Sequence, residues 1–320
     1  MLFKALRASA IALCAALPIA AQAYPDQPVR IVVPFGAGGP ADIYARYVGA
    51  RLEQALGQPF VIENRPGGGA VIGTEEVVRS APDGYTLLMM SNTHTTNETL
   101  MAEKSYKLMT DLVPVAPVNS SDLVMVVHPS VGVDSVEELI ALAKEKPGEL
   151  TYASSGPGTP YHMAGELFKA MSGTDILHVP HRGSGEARAN VLGGHVDMMI
   201  DAITTMRSNA EAGAVKAIGV SGLKRSALMP DTPTIDEAGV PGYSATIWLG
   251  LMAPAGTPDD VVAKLNAEVN KVLSDPAVQE EWSAQGAVPM IMTPAEFGDY
   301  IEADIEKWAE VIRVSGATVN

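Results

Sequence analysis

Gly36, Gly38 and Gly39, set between a β-branched run at residues 29–33 and Pro40, are the residues of this chain best suited to chemistry, and that chemistry is anion binding. Glycine lets a backbone turn sharply and brings main-chain N–H groups close to a ligand. Pro40 suits the first position of a helix, where its missing N–H would have had no partner, and Asp42 favours the positive helix end. Strand, bare loop and helix N-terminus together form a corner at which unpaired N–H groups and the helix dipole face whatever sits in the loop. The same design recurs about 120 residues later as Ser154, Ser155, Gly156, Pro157 and Gly158, with Thr159 as N-cap, Pro160 at the first helical position and His162 in the first turn. Two such corners facing each other would make a pincer.

The first loop supports more than one reading. Gly36-Ala37-Gly38-Gly39-Pro40-Ala41 satisfies the dinucleotide pattern G-x-G-x-x-A, and Glu63 closes the next strand about where a ribose-binding acid would stand. A carboxylate-binding loop and an ordinary tight strand-to-helix turn fit the same residues. Further candidates lie along the chain. Ser91, Asn92, Thr93 and His94 open a polar loop that runs to Asn97 at the C-terminal end of an apolar strand, where open α/β sheets bind ligands. His162 either donates to a ligand oxygen or serves the structure. Arg182 either pairs with a ligand carboxylate or bridges to Asp201. Asp201 either accepts from a ligand amine or hydroxyl or caps the helix expected at residues 203–212. Trp248 stacks on a ligand or belongs to the core. His178 and His181, three apart on a strand and its exit, face opposite ways, so no metal site is expected there. The chain has no G-x-S-x-G, no H-E-x-x-H and a single cysteine, Cys14, so neither an enzyme nor a bound cofactor is expected.

These residues need a scaffold. Apolar strands are expected at residues 59–63, 85–90, 123–128, 150–153, 176–179, 196–200, 216–220 and 246–253, and most alternate with helices. That alternation predicts an α/β fold of mostly parallel sheets covered on both faces. Thr257-Pro258 and Thr293-Pro294, each with an acid following, read as helix starts capped by threonine. Thirty glycines and 5% aromatic residues suit such a turn-rich protein.

Residues 1–23 read as a secretory signal peptide: Lys4 and Arg7, an apolar run, then Ala21-Gln22-Ala23 as the cleavage motif. Cys14 lies inside it, so the exported chain would carry no thiol or disulfide. Removing the two cations takes the formal charge from −15 to −17, which argues against nucleic acid as a partner.

Several motifs together resemble one family. Residues 33–42 (VPFGAGGPAD), Glu63-Asn64-Arg65-Pro66-Gly67, Pro82-Asp83-Gly84-Tyr85-Thr86-Leu87, Leu192-Gly193-Gly194 and residues 250–258 (GLMAPAGTP) occur in the order and spacing of the tripartite tricarboxylate transporter substrate-binding proteins, the Bug or TctC family. The resemblance spans the chain after the signal. It implies a two-lobed, type II Venus-flytrap fold in the periplasm, with residues 24–121 and 245–320 as one lobe and 122–244 as the other. It also implies that Phe35, Gly36, Ala37, Gly38 and Gly39 hold a carboxylate together with Ser155, Gly156, Pro157, Gly158 and Thr159, partly through ordered water. His181 stands where the family more often has tyrosine, and residues 91–97 are richer in Thr and Asn than the common pattern. The expected function is capture of an organic carboxylate, with a lean to an aromatic dicarboxylate such as terephthalate, by a monomer that delivers it to membrane transporter subunits. The rival readings are an exported nicotinamide-dependent oxidoreductase and a ligand-presenting subunit of a membrane sensor.

Overall fold

The computed structural model describes residues 24–101 and 103–318; the signal-peptide reading of residues 1–23 lies outside them. The chain runs β1 (Val29–Val33), α1 (Pro40–Leu56), β2 (Phe60–Asn64), α2 (Val71–Val78), β3 (Thr86–Ser91), α3 (Asn92–Leu100), α4 (Leu108–Asp111) and β4 (Leu112–Val127). It continues with α5 (Val136–Glu145), β5 (Thr151–Ser154), α6 (Pro160–Ser172), β6 (Leu177–Pro180), α7 (Ser184–Leu192), β7 (Met198–Ala202), α8 (Ile203–Glu211) and β8 (Lys216–Val220). β9 (Thr246–Pro254), α9 (Asp259–Leu273), α10 (Pro276–Ser283), β10 (Ala287–Pro289) and α11 (Pro294–Ser315) complete it.

Two sheets share one strand. In the first, β1 lies parallel between β2 and β3, β9 runs antiparallel to β3 and β4, and β10 closes the far side of β4. In the second, β5 lies parallel between β6 and β7, while the end of β4 pairs antiparallel with β7 and β8. The β4–β9 ladder runs from Leu112 to Asp122 in the first sheet, and β4 pairs with β7 from Leu123 on in the second. The strand expected at residues 123–128 is only the second part of β4; Pro114, Pro117 and the polar residues 119–122 interrupt the apolar pattern of the first part. The ladder absorbs the two prolines at register shifts after Pro114 and after Pro117, where a missing N–H costs little.

Each sheet buries its own core. Val29, Ile31 and Val33 pack with Tyr44, Val48 and Leu52 of α1 and with Leu265 and Val269 of α9. Tyr152, Phe168, Ile200 and Tyr243 anchor the second core, which also takes Trp308, Val311 and Ile312 from the end of α11. The same helix begins among Trp248, Phe297 and Ile301 of a third cluster, against the first sheet. Thus β4, β9 and α11 pass from one sheet to the other. The α/β expectation describes what forms, but the sheets are mixed: β2, β1 and β3 in one and β6, β5 and β7 in the other are parallel, while every pair made by β4 and β9 is antiparallel.

Candidate ligand-binding site

The first corner is open. β1 ends at Val33, Phe35 is half-buried with its ring edge 6.0 Å from the His94 ring, and Gly36, Ala37 and Gly38 are exposed. Gly38 adopts φ +77°, a left-handed conformation that glycine takes without strain. Gly39 precedes α1 in an extended conformation and no side chain caps the helix. The N–H of Ile43 bonds to Gly39, which leaves the N–H groups of Ala41 and Asp42 without an intrahelical acceptor. Asp42 does more than complement the dipole: its carboxylate accepts the Gly38 N–H at 2.8 Å and pairs with Arg46 at 2.9 Å. These hydrogen bonds hold its carboxyl below the usual carboxylate range despite burial. One loop amide is therefore already engaged by the protein itself.

Ser91 to Asn97 is not a loop. Ser91 ends β3, and Asn92, Thr93 and His94 form the first turn of α3, all buried. Ser91 and His94 cap the helix reciprocally: the Ser91 hydroxyl accepts the Thr93 N–H, and His94 Nδ1 faces the Ser91 main chain at 3.0 to 3.2 Å. The sequence lacks apolar periodicity here because polar partners replace apolar contacts. His94 Nε2 meets the Thr74 hydroxyl, Asn97 donates to Gly69, and Thr95 donates to Asp304 at 2.6 Å. Burial pushes the His94 imidazole down to about 4, so it is neutral.

The second corner is turned inward. Gly156 (φ +118°) and Gly158 (φ +73°) are buried, and their main-chain groups are spoken for. The Gly156 N–H donates to Ser154 Oγ at 3.1 Å, and the Gly158 N–H donates to His162 Nδ1 at 3.1 Å. Thr159 stands at the N-cap position of α6, yet its hydroxyl donates to the Gly156 carbonyl at 2.7 Å instead of capping the helix. Thr96 of α3 donates to the Gly158 carbonyl at 2.9 Å, tying this corner to the segment after β3. Ser155 and Pro157 keep partial exposure.

His162 thus supports its own loop. Its ring stacks on His178 at 4.2 Å, and its Nε2 lies 3.9 Å from Glu166, a buried carboxylate that also accepts from Tyr152 at 2.5 Å and Lys169 at 2.8 Å. Burial, then Lys169, pushes His162 down to about 4; burial, then His162, pushes His178 down to about 3.

Arg182 and Asp201 do not meet. Arg182 is exposed, and its main-chain N–H donates to Glu186. The cation beside Asp201 is Arg188, at 2.9 Å, four residues into α7. Asp201, fully buried at the end of β7, also accepts from the Ala202 N–H and the Thr205 hydroxyl, and burial outweighs these to raise its pKa. It therefore supports the start of α8. Trp248 is core, edge-on to Phe297 and Tyr300, with its N–H on Asp304. Among the described residues no group of three His, Cys, Asp or Glu could hold a metal ion.

Between the first corner, the start of α8 and the strand crossing lies a cavity of about 480 Å³, bounded by Gly38 and Pro40 on one side, Ala202 to Thr205 on the other, and Asn119, Asp122 and Leu249 at the crossing; no residue of the second corner lines it. Gly38 is the one predicted site residue on its wall. Residues 44–317 match the family described as Tripartite tricarboxylate transporter family receptor, TctC. The chain belongs to that family. It is 39% identical over 304 residues to protein BugT of Bordetella pertussis, covering 94% of this chain and 93% of that one. In structure it is similar to R. palustris Rpa4515 with adipate (TM-score 0.86, 35% identity, 92% of this chain and 99% of that one). It is similar also to MatC from Rhodopseudomonas palustris with bound malate (TM-score 0.81, 31% identity, 90% and 100%).

The two sheets joined by crossing strands are thus the type II fold of periplasmic binding proteins, and this TctC protein is a solute-binding receptor, not an enzyme. The dinucleotide reading fails locally as well, since Glu63 is engaged by Arg30 and Arg65 and is not a free ribose acceptor. Sequence reasoning missed Asp42 as a partner of the loop amide, Arg188, Asn119 and Asp122. The four-residue spacings 38–42 and 42–46 were visible and suited helix-start contacts; the other three depend on β4 crossing between sheets and on α7 folding back onto β7.

Proposed function

We propose that this receptor captures an organic mono- or dicarboxylate between the two corners and, exported to the periplasm, delivers it to a tripartite tricarboxylate-type membrane transporter. Its site comprises the Phe35 to Gly39 loop, the first turn of α3, the Ser155 to Thr159 loop and the exit of β6, with lobes that part at the strand crossing. One observation carries the reading. Asn92 Oδ1, Thr93 Oγ1 and His181 Nδ1 are buried without a protein partner, on the segments that follow β3 and β6 at the ends of parallel strands. Leaving such an atom unpaired costs about 1–3 kcal/mol, and a ligand that bonds to them offsets that cost. The Thr93 hydroxyl and His181 ring can donate to a carboxylate, alongside the uncapped start of α1. The two relatives solved with adipate and with malate, both carboxylates, support the same class.

A thermal-shift screen of the exported chain against adipate, malate, terephthalate and hexanoate, each beside its amide, tests this. Terephthalate represents the aromatic diacids. At a hundred times its Kd a true ligand adds about 2.7 kcal/mol of stability. Acids that stabilise no more than their amides would remove the proposal.

A further inference from the structure

The cavity beside the first corner holds a carboxylate with nothing to bond to. Asp122 sits where β4 leaves the first sheet, packed over Gly222, and among the described residues its carboxylate makes no hydrogen bond or ion pair. Burial raises its pKa with no hydrogen bond to counter the shift. Asn119, three residues earlier on the same strand and 2% exposed, lines the cavity too, and its Oδ1 has no partner. The other charged groups on the wall, Arg207 and Glu211, satisfy each other at 2.8 Å. The floor at the strand crossing therefore offers acceptors, whereas the mouth at Gly38 and Pro40 adjoins the donors of the first corner. Ile43, Ile203, Ile247 and Leu249 line the space between them. At about 480 Å³ it falls within the range that small-molecule sites occupy.

We infer that this cavity is the far compartment of the binding cleft and that it takes a hydrogen-bond-donating group, an ammonium or hydroxyl, carried on an apolar body by the same ligand whose carboxylate sits in the first corner. This rests on the carboxylate reading and narrows it to amino- or hydroxy-substituted acids. A second carboxylate reaching the crossing would face the partly buried Asp122 carboxylate, and like charges at close range repel. An ammonium there would supply the missing partner, and a hydrogen bond to a charged acceptor is among the stronger ones.

Titration calorimetry on the exported chain with hexanoate, 6-hydroxyhexanoate, 6-aminohexanoate and adipate separates the possibilities, because these four share one length and differ at one end. We expect 6-aminohexanoate to bind at least about tenfold tighter than hexanoate or adipate, with the hydroxy acid between. In Asp122→Asn the ratio of 6-aminohexanoate to hexanoate affinity should fall to within about threefold. Adipate or hexanoate binding as tightly as the amino acid, or a preference that survives Asp122→Asn, overturns the inference while leaving carboxylate capture intact. If no acid of this series or of the thermal-shift screen binds, carboxylate capture itself fails and the inference falls with it. The wild-type ligand series decides the matter even if the variant folds poorly.

Discussion

The two strand, glycine-loop, proline-helix corners are near copies in sequence and opposites in use. Around Gly36 to Gly39 the loop is exposed and its helix start uncapped, with one amide held by Asp42. Around Ser154 to Thr159 the loop is buried, and its amides and carbonyls are held by Ser154, His162, Thr159 and Thr96. A glycine pattern fixes a backbone shape. Which groups take its hydrogen bonds is decided by side chains behind the loop: a polar cluster of Tyr152, His162, Glu166 and Lys169 in the second corner, and an apolar wall with Asp42 in the first.

The largest difference should appear when each corner loses its cation. Lys169→Met leaves Glu166, 3% exposed, without its charge partner, and removing one member of a buried pair is expected to cost about 3 kcal/mol. Arg46→Met removes a half-exposed partner of Asp42 and should cost under about 1 kcal/mol. Urea unfolding of both variants reads the contrast. Equal losses would mean that the corners are supported alike.

The glycines give a smaller contrast. Gly158→Ala must hold a left-handed residue with its Cβ 3.3 Å from Leu100, so it should lose about 1–2 kcal/mol. Gly36 has open space and no left-handed backbone, and Gly36→Ala should stay within about 0.5 kcal/mol of the parent. For ligand affinity the order should invert, because only the first loop presents its backbone outward. Gly36→Ala with unchanged Kd would count against the first corner as the anion site.

Acid should expose the histidine behind the second loop. The unfolded His162 takes a proton near 6.5, whereas in the fold burial and Lys169 lower its pKa to about 4. Between those values the unfolded state binds more protons, so the stability this residue contributes is present above about 6.5 and is lost as pH falls toward 4. His162→Asn can still accept the Gly158 N–H but does not titrate. The stability gap between parent and variant should therefore narrow with falling pH, by at most about 1.4 kcal/mol per unit. A constant gap from pH 7 to 4 would show that His162 titrates normally.

How much of this could be read beforehand follows from what each signal encodes. β1 and β3 carry short apolar, β-branched or Leu/Met-rich runs, and the starts at Pro40, Pro160 and Thr293 use local chemistry; Thr293 and Glu296 cap α11 reciprocally. α9 starts at Asp259 as expected, but Thr257 misled as its cap, because its hydroxyl donates to Pro254 and Pro258 stands at the N-cap position with no side-chain cap. α3 was hidden because its polar residues face polar partners from α2, α11 and the second loop, all distant in sequence. Arg188 was hidden for the same reason: Asp201 lies 13 residues away, and only the return of α7 to β7 brings them together.

The smallest effect expected is also the sharpest test of how the two corners divide the charge. Neither glycine loop contains Lys or Arg, and α3 begins with neutral donors. Of the segments of the proposed site only the exit of β6 carries a Lys or Arg, namely Arg182, but its side chain is exposed and its main chain, not its guanidinium, bonds to Glu186. An exposed cation contributes about 0 to 1 kcal/mol to a neighbouring anion, so Arg182→Gln should weaken carboxylate binding by less than about fivefold. Amide and hydroxyl bonds to a charged acceptor, about 1.5–3 kcal/mol each, can reach micromolar affinity after ordering and desolvation costs. Affinity should then change little with salt, since short buried contacts are weakly screened. If Arg182→Gln folds normally yet loses about a thousandfold, roughly 4 kcal/mol, a cation was holding the carboxylate. In that case the exit of β6, and not the open corner at Gly36 to Gly39, would be where the anion is held.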